Sequence, residues 1–200
     1  MKNSISRLAM VGLTLATLAG SAAAQRMADS SSYVPPLAPA EEKFLRGFSD
    51  ANILGHLYQN DSMEVGIGQA ALRRSRNDAV LNYAKLMVLD HTTAMKMDKS
   101  LGKSTGVGLT MIVGEMAKSH MGVSVDSVDI ASDLTVDRHY VMSQVEMHQH
   151  MLAELRTLRE VAQNQAIREQ IDAEIPAVRE HLAKAHAIAR KIGFESRRKA

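Results

Sequence analysis

Apolar side chains recur three, four and seven residues apart along four long stretches of this chain, and that helical periodicity limits the folds it can adopt. The pattern is clearest around His91. One side of that stretch holds Val80, Ala84, Met87, His91, Ala94, Met95 and Asp98. The other side holds Lys85, Thr92, Lys96 and Lys99. The periodicity predicts an amphipathic helix whose histidine faces the neighbouring helices.

Four such helices are predicted, and no stretch of the sequence resembles a strand. We expect them at about residues 40–74, 78–102 and 135–163, with the fourth running from the turn at Asn164 to about Ile192. Pro39, Glu41 and Glu42 mark the first helix start, and Ser75 to Asp78 form a turn with an N-cap. The fold class is therefore all-α, with residues 40–193 forming a four-helix bundle.

The connection between the second and third helices is long for a bundle, at about 30 residues from Lys103 to Ser132. A connection of this length is expected when the chain must return along the bundle before starting the next helix, as in ferritin-like bundles. We therefore predict a ferritin-like four-helix bundle with a long crossover between helices 2 and 3.

The inward-facing residues of each helix follow from the same periodicity. The first helix is predicted to turn inward Phe44, Phe48, Ala51, Gly55, Tyr58, Ser62, Val65 and Leu72. The third is predicted to turn inward Tyr140, Gln144, Met147, His148, Met151, Leu155 and Leu158. His150 falls instead on the polar side, with Ser143, Glu146 and Glu154, and is predicted to be solvated.

The first 24 residues have the pattern of a secretory signal peptide. Lys2 and Arg7 precede an apolar run, and a small-residue cleavage site comes directly before Gln25. Residues 25–39 are predicted to be a flexible linker rich in serine and proline, and residues 194–200 a basic tail. These features predict a periplasmic or secreted protein with no stable membrane anchoring.

Composition narrows the classes of partner and of chemistry. The chain has 24 basic and 22 acidic residues, and the predicted signal peptide carries two of the basic ones. A nearly neutral mature chain argues against nucleic acid as a partner, because phosphate backbones need clustered positive charge. The absence of cysteine excludes thiolate metal sites and cysteine catalysis. No serine nucleophile motif or phosphate-binding loop is present, so the sequence favours a non-enzymatic role and leaves enzyme activity open.

Counting residues from the two turns predicts which polar residues meet inside the bundle. Glu64 lies 13 residues before Asn77 and His91 lies 14 after it, so the two stand at one height in an antiparallel hairpin. His148 lies 16 residues before Asn164 and His181 lies 17 after it. If the turns are at opposite ends of the bundle, both pairs lie near its middle.

The leading hypothesis for these four residues is a metal site with Glu64, His91, His148 and His181 as ligands, one from each helix. Carboxylate and imidazole ligands suit zinc, iron or manganese. A di-iron oxidase centre is not expected, because the sequence lacks the Glu-x-x-His pairs of such proteins. The alternative is a metal-free polar patch in which these side chains hydrogen-bond to one another.

Two further alternatives remain open. Met87 and Met95 flank His91, and Met142, Met147 and Met151 flank His148. Thioethers favour Cu(I), so this pattern could indicate copper handling. The other alternative is a metal-free periplasmic interaction or structural module that binds an envelope protein. The sequence indicates neither the oligomeric state nor the physiological role.

Several short blocks resemble the bacterial exported ferritin-like proteins known as domain of unknown function 4142. The matching blocks are Phe44-Leu45, Glu64 to Gln69, Tyr83-Ala84, Met87 to Thr92, Asp137-Arg138, Tyr140-Val141, His148, Pro176, His181-Leu182 and Ala185. The Asp-His-Thr block at Asp90 is the most specific of them. The resemblance covers about residues 40–190 and implies a ferritin-like bundle in an exported protein, without implying an activity.

Overall fold

The structure is a computed structural model that describes residues 33–113, 128 and 135–198, with only the backbone described beyond residue 193. It has five helices in these residues. They are α1 (Pro39–Leu45), α2 (Asp50–Arg74), α3 (Asp78–Thr105), α4 (Val136–Val161) and α5 (Gln165–Arg198). No strand occurs in the described ranges, and the predicted all-α class is confirmed.

The first predicted helix is in fact two helices, separated at Arg46 to Ser49. Ser49 begins α2 with a capping box: its hydroxyl accepts from the Asn52 N–H at 3.3 Å, and the Asn52 side chain accepts from the Ser49 N–H at 3.2 Å. The break changes which side of α2 is buried. Ser62, predicted to face inward, is exposed, whereas Asp61 and Glu64 are buried.

The four long helices form two antiparallel hairpins that pack on each other. α2 packs mainly on α3 and α4 mainly on α5, while α3–α5 and α2–α4 contacts join the hairpins and α1 lies on α4. The Ser75 hydroxyl donates to Asp137 at the start of α4, and Asp50 at the start of α2 accepts from the Gln163 and Asn164 N–H groups. The two turns are therefore at opposite ends, and α3 runs parallel to α4.

Parallel α3 and α4 require the connection between them to return along about 42 Å of helix, the length of the 28 residues in α3. Gly106 ends α3 in the left-handed conformation, with φ of 71°. The chain then crosses α2, where the Thr110 N–H donates to the Ala51 carbonyl at 2.8 Å. The Gln59 side chain accepts from the Ile112 N–H at 2.6 Å and donates to its carbonyl at 2.9 Å. The crossover thus begins as a segment fastened to α2.

The C-terminal helix is longer than predicted. α5 continues through Pro176 and past Gly193 to Arg198, so the helix includes most of the predicted basic tail. The predicted signal peptide (1–24), the first part of the predicted linker (25–32) and residues 114–127 and 129–134 of the crossover lie outside the described residues. Within the described residues, no helix combines the length and apolar character needed to cross a membrane.

A pair of glycine substitutions tests how the crossover is fastened. A Cβ at Gly55 would lie 2.0 Å from the Thr110 carbonyl oxygen, so Gly55→Ala must displace the segment and should lower the free energy of unfolding by about 1 to 3 kcal/mol. A Cβ at Gly193 meets nothing within 4 Å. Gly193→Ala should therefore stabilise the helix by up to about 1 kcal/mol. Urea denaturation measures both, and equal effects would contradict this packing.

Candidate metal centre

Three histidines from three helices meet in the core. His91 of α3, His148 of α4 and His181 of α5 are all buried, with at most 4% of each residue exposed. The centroids of the His91 and His148 rings lie 5.9 Å apart, and each of them lies 5.4 Å from the centroid of the His181 ring. One nitrogen of each ring lies within 4.8 Å of a nitrogen of both other rings.

Each imidazole uses one nitrogen for a hydrogen bond that points away from the group. His148 Nδ1 donates to the Gln144 carbonyl at 2.9 Å, one helical turn earlier. His91 Nδ1 lies 2.7 Å from Asp61 Oδ1 of α2, and His181 Nε2 lies 3.0 Å from Asp90 Oδ2 of α3. Because carboxylates and carbonyls accept, these bonds place the ring proton on the outer nitrogen.

The other nitrogen of each ring carries a lone pair when the ring is neutral. These nitrogens are His91 Nε2, His148 Nε2 and His181 Nδ1, and each is buried without a hydrogen-bond partner among the described residues. Buried polar atoms are rarely left in this state. Outer hydrogen bonds that fix the tautomer while a lone pair remains free are the usual arrangement of metal-binding histidines.

Glu64, the fourth residue of the predicted set, lies beside this group on α2. Its Oε2 accepts from the Gln144 side chain at 2.7 Å, and its Oε1 lies 3.7 Å from His148 Nδ1 without a hydrogen-bond partner. The group of mutually close ligand atoms contains the three histidines and not Glu64. Glu64 is fully buried, and burial raises the pKa of its carboxyl.

The electrostatics of the site favour neutral rings at two of the three histidines. Burial, together with the positive charge of neighbouring imidazoles, lowers the pKa of His148 well below its usual range, and burial lowers the pKa of His181. Burial also opposes protonation of His91. The hydrogen bond to Asp61 and the charges of Glu64 and Asp61 outweigh it and raise the pKa of His91. Neutral imidazole is the form that binds metals.

A carboxyl cluster lies behind His91. Burial, with the charges of Glu174 and Asp61, raises the pKa of Asp98 to about 9. Burial, with the charge of Asp61, raises the pKa of Glu174 to about 8. The Asp98 carboxyl lies close enough to Asp61 to hydrogen-bond with it when one of the two is protonated. At neutral pH, therefore, this cluster holds protons.

The ring separations can be compared with those around a bound ion. A tetrahedral ion about 2.0 to 2.1 Å from each nitrogen, with each nitrogen about 1.1 Å from its ring centre, holds ring centroids roughly 5.2 Å apart. The observed separations of 5.4 to 5.9 Å exceed that value by less than 1 Å. Small rotamer adjustments would bring the three nitrogens to coordinating distance.

The methionines are less well arranged around the histidines than the sequence pattern predicts. Met87 and Met151 are buried in the apolar core. Met142, however, is 42% exposed, on a different side of α4 from His148. Met95 and Met147 are half-buried. The described contacts therefore identify imidazole, rather than thioether, as the ligand type common to the three helices.

Comparison with known sequences identifies the family. The sequence model of the family described as domain of unknown function DUF4142 matches residues 34–188, which include all five helices except the end of α5. The chain belongs to that family. The predicted resemblance is thus confirmed, and the match places all four predicted site residues inside the DUF4142 domain.

A solved structure has a similar fold. A DUF305 fragment from Deinococcus radiodurans superposes with a TM-score of 0.61, at 14% sequence identity, over 78% of this DUF4142 chain and 99% of the fragment. At that identity the similarity concerns the fold alone. A search of curated proteins found no match to this sequence.

Sequence reasoning missed the residues that surround the histidines. Asp61, on the side of α2 not predicted to be buried, contacts His91, and Asp90 contacts His181. His150, predicted to be solvated on a polar side of its helix, is half-buried, with 37% of its side chain exposed. His150 contacts both Glu41 and Glu154, and Glu154 is buried at 3% exposure. The sequence signal for this contact was the spacing of His150 and Glu154, which are four residues apart on one helix.

The raised pKa of Asp98 predicts a pH dependence of stability. The native protein keeps the Asp98 proton up to about pH 9, whereas the unfolded chain releases it near the ordinary value of 3.8. The protonated Asp98 therefore stabilises the native state fully below pH 3.8, and this stabilisation is lost as the pH rises to about 9. The loss lowers the free energy of unfolding by on the order of a few kcal/mol. Asp98→Asn removes the titration, so the variant should lose less stability with rising pH.

Urea denaturation at several pH values between about 5 and 9, with chelator present, measures this difference. Glu146→Gln, which changes an exposed carboxyl of α4, is the control and should keep the wild-type slope. Equal pH dependence of the wild type and Asp98→Asn would show that the native protein does not hold the Asp98 proton.

Proposed function

We propose that this protein binds one transition-metal ion through His91, His148 and His181. The observation that carries the proposal is the set of three buried ring nitrogens without hydrogen-bond partners, each on an imidazole whose other nitrogen is already hydrogen-bonded. Leaving three imidazole lone pairs unsatisfied in a core costs free energy. An ion shared by the three rings would remove that cost.

The three imidazole ligands restrict which metal the site can bind. Three neutral imidazoles suit zinc, copper or iron, and manganese less well, because manganese prefers oxygen ligands. Zinc fits best, since three imidazoles leave one position of a tetrahedral site for a further ligand. Copper handling through Met87, Met95, Met142, Met147 and Met151 is less well supported, because the exposed Met142 cannot share a site with His148.

Glu64 has a supporting role in this proposal. Its carboxyl holds the Gln144 side chain, and the Gln144 carbonyl in turn fixes the His148 ring. Its own oxygens lie outside the group of mutually close ligand atoms. Glu64→Gln should therefore weaken metal binding while leaving the stoichiometry unchanged. If that variant lost the metal as completely as a histidine variant, Glu64 would be a ligand, as the sequence pattern first suggested.

The burial of the site favours a non-enzymatic role. At most 4% of each histidine residue is exposed, so a substrate would have no side-chain surface at the ion to contact. We infer that the ion is stored, carried or used to stabilise the fold, within a ferritin-like four-helix bundle. The parallel α3 and α4 and the returning crossover support that fold.

Export is part of the same proposal and rests on the sequence. The charged start, apolar run and Ala22-Ala23-Ala24 site predict cleavage before Gln25 and a periplasmic or secreted product. The intact mass of protein recovered from the periplasm or medium measures this. A mass that includes residues 1–24, or recovery in the membrane fraction, would contradict it.

The metal proposal is tested on purified mature protein by elemental analysis after dialysis against zinc, iron, manganese or copper. His148→Ala should lose one equivalent of metal. His139→Ala, which alters an exposed histidine of the same helix, is the control and should keep it. Asp90→Asn should weaken binding roughly 10- to 100-fold, because Asp90 fixes the His181 ring without touching the ion.

Thermal denaturation gives a second measurement. A metal present at roughly 100 times its Kd stabilises the native state by about 2.7 kcal/mol, so a chelator should lower the Tm of the wild type by more than that of His148→Ala. Wild-type protein that takes up none of these metals and whose Tm does not respond to chelator would favour the alternative, a metal-free module that binds an envelope protein.

A further inference from the structure

A second group of ionisable side chains lies where α1 meets α2 and α4. It consists of Glu41 of α1, His56 of α2, and His150 and Glu154 of α4, and we call it the seam cluster. Glu154 is six residues after His148 on α4, so the seam cluster lies about 9 Å along that helix from the three histidines. It shares no residue with the proposed metal centre.

Three residues of the seam cluster, Glu41, His150 and Glu154, bring their ligand atoms close together, and His56 contacts Glu154. Glu154 Oε1 lies 3.2 Å from His56 Nε2 and 3.5 Å from His150 Nε2. Glu41 Oε1 lies 2.6 Å from the same His150 nitrogen. One ligand atom each from Glu41, His150 and Glu154 lies within 4.8 Å of the others. Adjacent ligands around a tetrahedral ion with bonds of about 2.0 to 2.2 Å are separated by roughly 3.4 Å. The 3.5 Å distance between Glu154 and His150 matches this separation, and the 2.6 Å distance between Glu41 and His150 would have to lengthen.

Charge balance also favours a cation at this point. The cluster holds two carboxylates, and Glu154 is almost fully buried. A divalent ion bound here would lie against both carboxylates and offset their negative charge.

We propose that Glu41, His150 and Glu154 form a second divalent-metal site. Two carboxylates and one imidazole form a harder ligand set than three imidazoles, and this set suits zinc, iron(II) or manganese(II). The site joins α1 to α4. The ion thus fastens the N-terminal helix to the bundle, in addition to the buried Leu45 and the exposed Arg46–Glu160 ion pair.

Elemental analysis of the full mature chain, equilibrated in a zinc-buffered solution, tests the seam site. The buffer keeps free zinc low enough to exclude weak binding at the surface. The wild type should hold two equivalents, and Glu41→Gln/His150→Gln should hold one. His148→Ala should also hold one, and adding the Glu41 and His150 substitutions to it should remove the remaining equivalent. Glu146→Gln, an exposed carboxyl on α4, is the matched control and should leave uptake unchanged.

Hydrogen exchange supplies a readout that the proposed three-histidine site does not affect. Zinc should slow amide exchange in residues 39–45 of the wild type and of His148→Ala, and should not do so in Glu41→Gln/His150→Gln. Far-ultraviolet circular dichroism checks that each variant is folded.

The outcomes separate the two sites. If His148→Ala lost zinc and Glu41→Gln/His150→Gln kept the wild-type amount, the seam site would be overturned and the three-histidine site would be supported. Zinc lost only with Glu41→Gln/His150→Gln would support the seam site and contradict the three-histidine site. Exchange in α1 that does not respond to zinc would overturn the proposal that the ion fastens this helix.

Discussion

Burying imidazole among aliphatic side chains is unfavourable unless its nitrogens find partners, and this constraint links the helices of the core to one another. His91 of α3 needs Asp61 of α2, and His181 of α5 needs Asp90 of α3. His148 obtains its bond within its own helix, from the Gln144 carbonyl. Each bond between helices fixes an axial position, so a shift of one helix along another would leave a buried ring without its partner. The apolar surfaces alone would tolerate such a shift far better.

The path of the chain follows from where these partners lie. Contacts at both ends make α2 antiparallel to α4, and α3 is antiparallel to α2 across a short turn. The chain must then travel back along the bundle before α4 can begin. Its first step is built into α2 at Gly55, where the lack of a side chain lets the Thr110 backbone approach, and at Gln59, which pairs with Ile112.

The three histidines could be predicted from the sequence because helical rise is uniform. His91 lies 14 residues from Asn77, and His148 and His181 lie 16 and 17 residues from Asn164, so all three are near the middle of the bundle once the turns are at opposite ends. The structure brings these rings together. The partners Asp61 and Asp90 were not predicted. A residue count gives height along the bundle, but it does not give the rotation of a helix about its own axis.

Periodicity predicts the wrong rotation of α2 about its axis because it gives no sign of the break between α1 and α2 within residues 40–74. The capping box at Ser49 starts a new helix, so the apolar phase of Phe44 and Phe48 does not carry over into α2. The same error hid the seam cluster. A separate α1 packs on α4 and covers part of the side that the periodicity predicted to be polar, which is how Glu154 becomes buried. Short helices of this kind are difficult to predict, since seven residues carry less than two full turns of pattern.

The carboxyl groups around the three histidines decide how much negative charge the site holds. Neutral imidazoles bring no charge of their own, so the counter-charge of a bound cation must come from these carboxyl groups. Asp61 and Asp90 are hydrogen-bonded to two of the rings, and Glu64 lies beside the third. Asp98 and Glu174, whose pKa values of about 9 and about 8 keep them protonated at neutral pH, add no charge. The protonated pair therefore lets several carboxyl groups pack near His91 without the repulsion that full ionisation would cause.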